Sequence, residues 1–211
     1  MANLIDPGRD CPLCPRLVSY RHRQRAAQPL WHNAPVASFG DQQARLLIVG
    51  LAPGVRGANR TGRPFTGDFA GDLLYGTLIK FGFAAGEFRA DPHDGLQLVG
   101  TLITNAVRCV PPENKPTPVE IKTCNSFLMG QIAALPKLRA IVALGRIAHD
   151  ATLAALSRRR AQFAFGHRAK HDLDGVTLFD SYHCSRYNTN TRVLTPQMFE
   201  DVFAAVRTYL G

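Results

Sequence analysis

The chain is short of everything a membrane-bound or exported protein needs. No apolar run in its 211 residues approaches a bilayer span, and the opening Met-Ala-Asn-Leu-Ile-Asp lacks the hydrophobic stretch of a signal peptide. The expectation is a protein of the cytoplasm, without a membrane partner. Cysteine is scarce as well: five residues in a chain with no export signal do not make a disulfide framework. They remain to be explained as metal ligands, reactive thiols or core filler. Neither G-x-G-x-x-G nor the phosphate-loop signature G-x-x-x-x-G-K-[ST] occurs in the glycine-rich stretch, which sets the common nucleotide-cofactor motifs aside. No internal repeat or long low-complexity segment is present. Acidic residues are in deficit, 16 against 25 basic ones, a formal charge of +9. Such a surplus favours a polyanionic partner, because neutralised phosphates release counterions.

What is there suits one α/β domain over residues 1–211, with 45% hydrophobic residues to build a core. Leu46-Leu47-Ile48-Val49 reads as a buried strand, short and bounded by glycine and proline. Further strands are expected within 96–106, at 140–145 and at 177–183. Helices are expected near 72–81 and 146–156, and after Thr195-Pro196. Another should start at Thr117-Pro118-Val119-Glu120, a capping-box pattern with proline at the first helical position. Alternating strands and helices imply a three-layer α/β/α domain around a central, mainly parallel four-stranded sheet. The run Arg158-Arg159-Arg160, followed by Phe163 and Phe165, reads either as a phosphate-contacting flap or as a solvated helix end and hairpin.

The stretch from Gly50 to Asp68 leaves the first strand at its C-terminal end, the edge where open α/β sheets bind ligands. Five glycines and two prolines among its residues permit unusual dihedrals and close approach of a ligand to the backbone. Arg56, Arg60 and Arg63 add donors suited to phosphate. Phe65 is out of place in such a loop unless it packs or stacks on something flat. Asp68, Asn105 and His183 each lie at or after the end of a different expected strand. In a parallel sheet those ends share one edge, and the three side chains can meet in one crevice. An asparagine amide pairs an acceptor with a donor, matching the N3–H and O4 of uracil and mismatching cytosine. A histidine beside a leaving base can stabilise negative charge on O2. A carboxylate opposite can orient water and offset positive charge on a sugar.

Cys11 and Cys14 form a Cys-x-x-Cys pair, and Cys109 and Cys124 offer the only second pair. Four thiolates suit zinc and an iron–sulfur cluster alike, and a thioredoxin-like redox pair is a further reading of Cys-x-x-Cys.

Four segments, taken together and in order, resemble the uracil-DNA glycosylase superfamily, and most closely its family 5, or type b, enzymes. They are Cys11-Pro-Leu-Cys14-Pro-Arg-Leu; Gly50-Leu-Ala-Pro-Gly54 with Gly57-Ala-Asn-Arg-Thr-Gly-Arg-Pro-Phe-Thr-Gly-Asp68; Thr104-Asn-Ala-Val-Arg-Cys109-Val-Pro-Pro-Glu-Asn-Lys-Pro-Thr-Pro118; and Ser181-Tyr-His-Cys-Ser185. The resemblance implies a monofunctional DNA-repair glycosylase, acting as a monomer near the nucleoid. It would hydrolyse the N-glycosidic bond of uracil, and of other deaminated bases such as hypoxanthine, in DNA. It implies a structural [4Fe–4S] cluster on Cys11, Cys14, Cys109 and Cys124 that braces the N-terminal segment. It assigns Asp68 to water activation, Asn105 to base reading, His183 to the leaving base and Phe65 to base stacking. Gly50, Leu51, Ala52, Asn59 and Ser185 fall in its substrate-binding segments, and Tyr187 stands where a wedge would fill the gap left by a flipped nucleotide. The chain departs from the family pattern in two places. Cys184 replaces the proline of His-Pro-Ser and reads as a packed thiol. Thr191-Arg192-Val193-Leu194-Thr195 replaces Thr-Gly-Arg-Leu-Thr. The alternative left open is a non-catalytic DNA-binding module on the same braced fold.

Overall fold

A computed structural model describes residues 6–211. In chain order its elements are α1 (Pro15–Ala27), β1 (Phe39–Gly40), β2 (Leu46–Gly50), α2 (Ala58–Thr61), α3 (Phe69–Lys80), β3 (Ala84–Ala85), β4 (Gln97–Leu98), β5 (Thr101–Asn105), α4 (Pro118–Ala133), β6 (Ala140–Leu144), α5 (Arg146–Ala155), β7 (Lys170–Asp172), β8 (Thr177–Ser181), α6 (Arg186–Asn190) and α7 (Pro196–Leu210). The main sheet runs β1-β5-β2-β6-β8-β7. Its four inner strands are parallel, and every residue in them is buried, because helices cover both faces.

The expectation of four strands is corrected to six. Residues 39–40 and 170–172 add antiparallel edges to β5 and β8. Pieces of two and three residues are too short to show an alternating pattern, which is why periodicity did not reveal them. The stretch at 96–106 likewise divides into β4, paired with β3 in a separate ribbon, and β5.

One face of the sheet, through Ile48, Ile103, Val142 and Phe179, packs on Leu74 and Leu78 of α3 and on Phe199, Phe203 and Val206 of α7. The other, through Leu47, Leu102, Ile141 and Leu178, packs on Leu128 of α4 and on Ala148 and Ala151 of α5. The α4 start is the capping box read from sequence: Glu120 N–H donates to Thr117 Oγ1 at 3.3 Å, and Thr117 N–H donates to Glu120 Oε2 at 2.7 Å. Such a cap stabilises a helix by about 1 kcal/mol. Glu120 also receives both Nε and Nη2 of Arg16 at 2.7 Å, fastening α1 to α4. Helix α1 itself was not foreseen. It buries only Leu17 and Arg21, so it carries no apolar stripe to recognise.

Among the parallel strands the chain order is second, first, third, fourth. The direction of crossing therefore reverses between β2 and β6. A crevice opens outside the strand ends at such a reversal.

Candidate active site

Register brings the strand ends level: Gly50 pairs with Asn105, and Leu144 with Ser181. Parallel bonding continues past β2 and β5, with Ala106 N–H donating to Gly50 O and Val107 N–H to Leu51 O, so Leu51 and Ala52 are laid beside Asn105. Above these ends lies a cleft of about 670 Å³, several times the size of a nucleobase. Leu51, Ala52, Phe65, Asp68, Asn105, His183 and Ser185 line it, and Arg56, Arg146 and Arg186 add positive charge to its wall.

Asp68 is the N-cap of α3 but makes no side-chain capping bond, and its Oδ1 is buried without a partner. Burial raises its pKa, against the pull of the amides of Ala70 and Gly71. Glycine makes room for it: a Cβ on Gly57 would lie 2.2 Å from Asp68 Oδ2, and one on Gly54 at 2.9 Å. Asn105 is buried at the end of β5, and among the described residues its amide has no partner, leaving donor and acceptor for a ligand. A Cβ on Gly50 would lie 2.4 Å from Asn105 Oδ1 and 2.6 Å from Phe65 Cζ. Gly50 thus does not line the cleft; it sets the spacing of two residues that do.

His183 stacks beside Phe65, ring centroids 6.0 Å apart. Its Nδ1 is buried without a partner, and burial lowers its pKa to about 4, so the imidazole is neutral near pH 7. Neutral imidazole can still donate one hydrogen bond. Ser185 caps α6, accepting from Asn188 N–H at 3.3 Å, while Asn188 Nδ2 donates to His183 O at 2.8 Å. That pair fixes the turn carrying His183.

Phe65 has φ +51°, a left-handed conformation that costs a non-glycine residue about 1–3 kcal/mol. The surroundings enforce it. Tyr75 OH donates to Pro64 O at 2.7 Å, and Arg63 donates to Thr66 Oγ1 and, in a bidentate pair at 2.8 Å, to Asp94. Arg63 is therefore buried and consumed from behind the loop. Of the three arginines read as phosphate donors there, only Arg56 reaches the cleft; Arg60 bonds Arg56 O.

Two further sequence-chosen residues lie off the cleft wall. Asn59 is a buried residue of α2, donating to Asn33 Oδ1 at 2.9 Å, and acts on the loop rather than on a ligand. Tyr187 projects from α6 at 75% exposure, outside the cleft lining. Arg146, Arg186 and Asn114 went unnoticed in the sequence, although Arg146 follows directly on the glycine that ends the third strand. Of the triple arginine, Arg158 is engaged by Leu173 O and Asp174, and Arg160 lies 3.6 Å from Asp150. The helix-end-and-hairpin reading of that segment is the better description. Cys184 is a packed thiol, fully buried against Ala70 O. Arg192 occupies φ +57°, the conformation a glycine would hold without strain.

Cys11, Cys14, Cys109 and Cys124 line a separate small cavity with Leu17, Val107 and Phe127. Four thiolates suit zinc and an iron–sulfur cluster alike. Burial and mutual repulsion push Cys14 up to about 11 and Cys109 up to about 12. Four thiolates there need a cationic centre. Arg108 N–H, 3.3 Å from Cys124 Sγ, and Arg21 Nη1, 3.8 Å from Cys109 Sγ, are donors of the kind that sulfur ligands accept.

Residues 37–207 match the family described as the uracil DNA glycosylase superfamily. The chain is 46% identical over 208 residues to the type-5 uracil-DNA glycosylase of Thermus thermophilus, covering 95% of this chain and 94% of that one. It is 42% identical over 212 residues to the type-5 enzyme of Mycobacterium leprae, covering 95% and 92%. It is 39% identical over 198 residues to the type-5 enzyme of Pyrobaculum aerophilum, covering 92% and 86%.

Proposed function

Since the chain belongs to the uracil DNA glycosylase superfamily, we propose that it hydrolyses the N-glycosidic bond of uracil in DNA and leaves an abasic site. The observation that carries the reading is the convergence of Asp68, Asn105, His183 and Phe65 on one cleft. A uracil turned out of the duplex lies on the Phe65 ring, with the Asn105 amide paired to its N3–H and O4. His183, neutral, donates to O2 as the base departs with its electrons, and so favours the leaving anion. Positive charge grows on the sugar at the same time. Asp68 carboxylate offsets it and orients the attacking water, its unpartnered oxygen free to accept the proton. Leu51 and Ala52 offer no polar side chain for that work. Arg56, Arg146 and Arg186 meet the phosphates, in keeping with the net charge of +9. The width of the cleft supports hypoxanthine and other deaminated bases as further substrates in the same reading.

A [4Fe–4S] cluster on Cys11, Cys14, Cys109 and Cys124 would supply a cross-link rather than a reaction. Cys109 follows Asn105 by four residues and Cys124 lies on α4, so those cysteines tie the N-terminal segment to the loop behind the base-reading amide. Purified protein should carry about four irons and about as much acid-labile sulfide per chain; one tightly held zinc would replace the cluster with a mononuclear site. Incubation with uracil-containing and plain duplexes, then alkali, tests the activity. Strand breaks confined to the uracil position are expected. Binding without breaks would mark a non-catalytic module. A panel of hypoxanthine and other lesions opposite each base defines the range.

A further inference from the structure

One buried cluster of titratable groups takes no part in this chemistry: His149 on α5, His171 on β7 and Asp180 on β8. Asp180 Oδ1 meets His149 Nδ1 at 2.8 Å, and its Oδ2 meets His171 Nε2 at 3.1 Å. The remaining ring nitrogen of His149, Nε2, faces the carbonyl oxygen of Phe163 at 3.0 Å. A carboxylate and a carbonyl only accept, so both nitrogens of His149 must donate. The ring is then an imidazolium. Burial opposes its charge, while Asp180, the Phe163 carbonyl and Asp150 favour it, and together they raise its pKa. The groups around it are few: Asp180 from β8, His171 from β7, and Asp150 from α5 itself with Arg160 3.6 Å away. The Phe165 ring lies edge-on at 5.6 Å, and beneath it is Arg146, whose guanidinium is 5.2 Å from that ring.

Two of the three elements so joined, α5 and β8, bear on the cleft. His149 is one turn into α5 from Gly145 and Arg146, both cleft residues. Asp180 precedes His183 by three residues. Gly145 N–H donates to Ser181 O at 2.8 Å, and a Cβ on Gly145 would lie 3.5 Å from His183 Cβ. We propose that His149, as an imidazolium, is a positioning residue for base excision: through Asp180 and Phe163 it locks the start of α5 to the end of β8, and so fixes Arg146 relative to His183 across the cleft. The proposal rests on the excision reading above.

The test uses the intact protein with its cluster, labelled with ¹⁵N in histidine. At about pH 7 the spectrum should show protons on both His149 nitrogens, and in Asp180→Asn one of them should be lost. Single-turnover uracil excision should fall roughly 10–100-fold in His149→Gln and in Asp180→Asn. Affinity for a duplex with an uncleavable abasic analogue should change by less than about twofold. A neutral His149 at about pH 7 overturns the proposal. So does a stoichiometric divalent metal held by the parent and lost from His149→Gln, since a metal needs the lone pair on Nδ1. Parent-rate excision by both variants also overturns it. The spectrum is recorded on the parent, so the outcome does not hang on a variant's folding. A parent that excises no uracil would overturn the excision reading instead, leaving the imidazolium to be judged by the spectrum alone.

Discussion

Two buried histidine–carboxylate arrangements flank the end of β8, and they are opposite in state. On the cleft side His183 Nδ1 and Asp68 Oδ1 are buried with no partner. Their environment favours the neutral form of each, lowering the histidine and raising the acid. On the other side Asp180 bonds both His149 and His171, Phe163 O takes the second nitrogen of His149, and the shared carboxylate favours a charged His149. The same residue types thus serve two ends. Polar groups left unsatisfied at a buried site are poised for a ligand, whereas groups that satisfy one another hold the scaffold.

Substitutions on the two sides should break this contrast in different ways. The largest effect on stability is expected of Asp180→Asn, which strips the buried imidazolium of its counter-charge. It should lose about 3–5 kcal/mol, read from the denaturant midpoint. Next comes Gly50→Ala. Its Cβ must displace the Asn105 amide or the Phe65 ring, and excision should drop roughly 10–100-fold in single-turnover assays. Asn105→Ala removes the amide proposed to read the base. The preference for uracil over hypoxanthine, measured as the ratio of release rates, should shrink by about tenfold.

The smallest effect concerns pH. His183 titrates at about 4 when folded against an ordinary 6.5, so between those values the folded state binds fewer protons than the unfolded chain. Its contribution is full above the upper value and declines as pH falls through the window. His183→Gln should flatten that acid decline in a denaturation series. Asp68 runs the other way: its raised pKa makes stability fall as pH rises through its titration, while the activity proposed to need its carboxylate rises.

The inner strands, the capped helices and the convergence of Asp68, Asn105 and His183 were all legible, because apolar runs, Thr-Pro caps and strand ends are local signals. What escaped reading depended on partners distant in sequence. Arg63 read as a phosphate donor until Asp94, thirty-one residues on, proved to bind it. Asn59 looked like a ligand contact because the loop is polar, yet its partner is Asn33. His149 and Asp180 showed nothing in sequence, since their pairing exists only once α5 packs on the sheet that holds β8.

On the proposed reading, Asp68 is held with an unpartnered oxygen for catalysis rather than for folding. Uracil excision and thermal melting, measured on one preparation of Asp68→Asn beside the parent, test it directly. Nearly all excision should disappear while the melting temperature stays level or rises; excision at the parent rate, or a melting temperature well below the parent's, would contradict it.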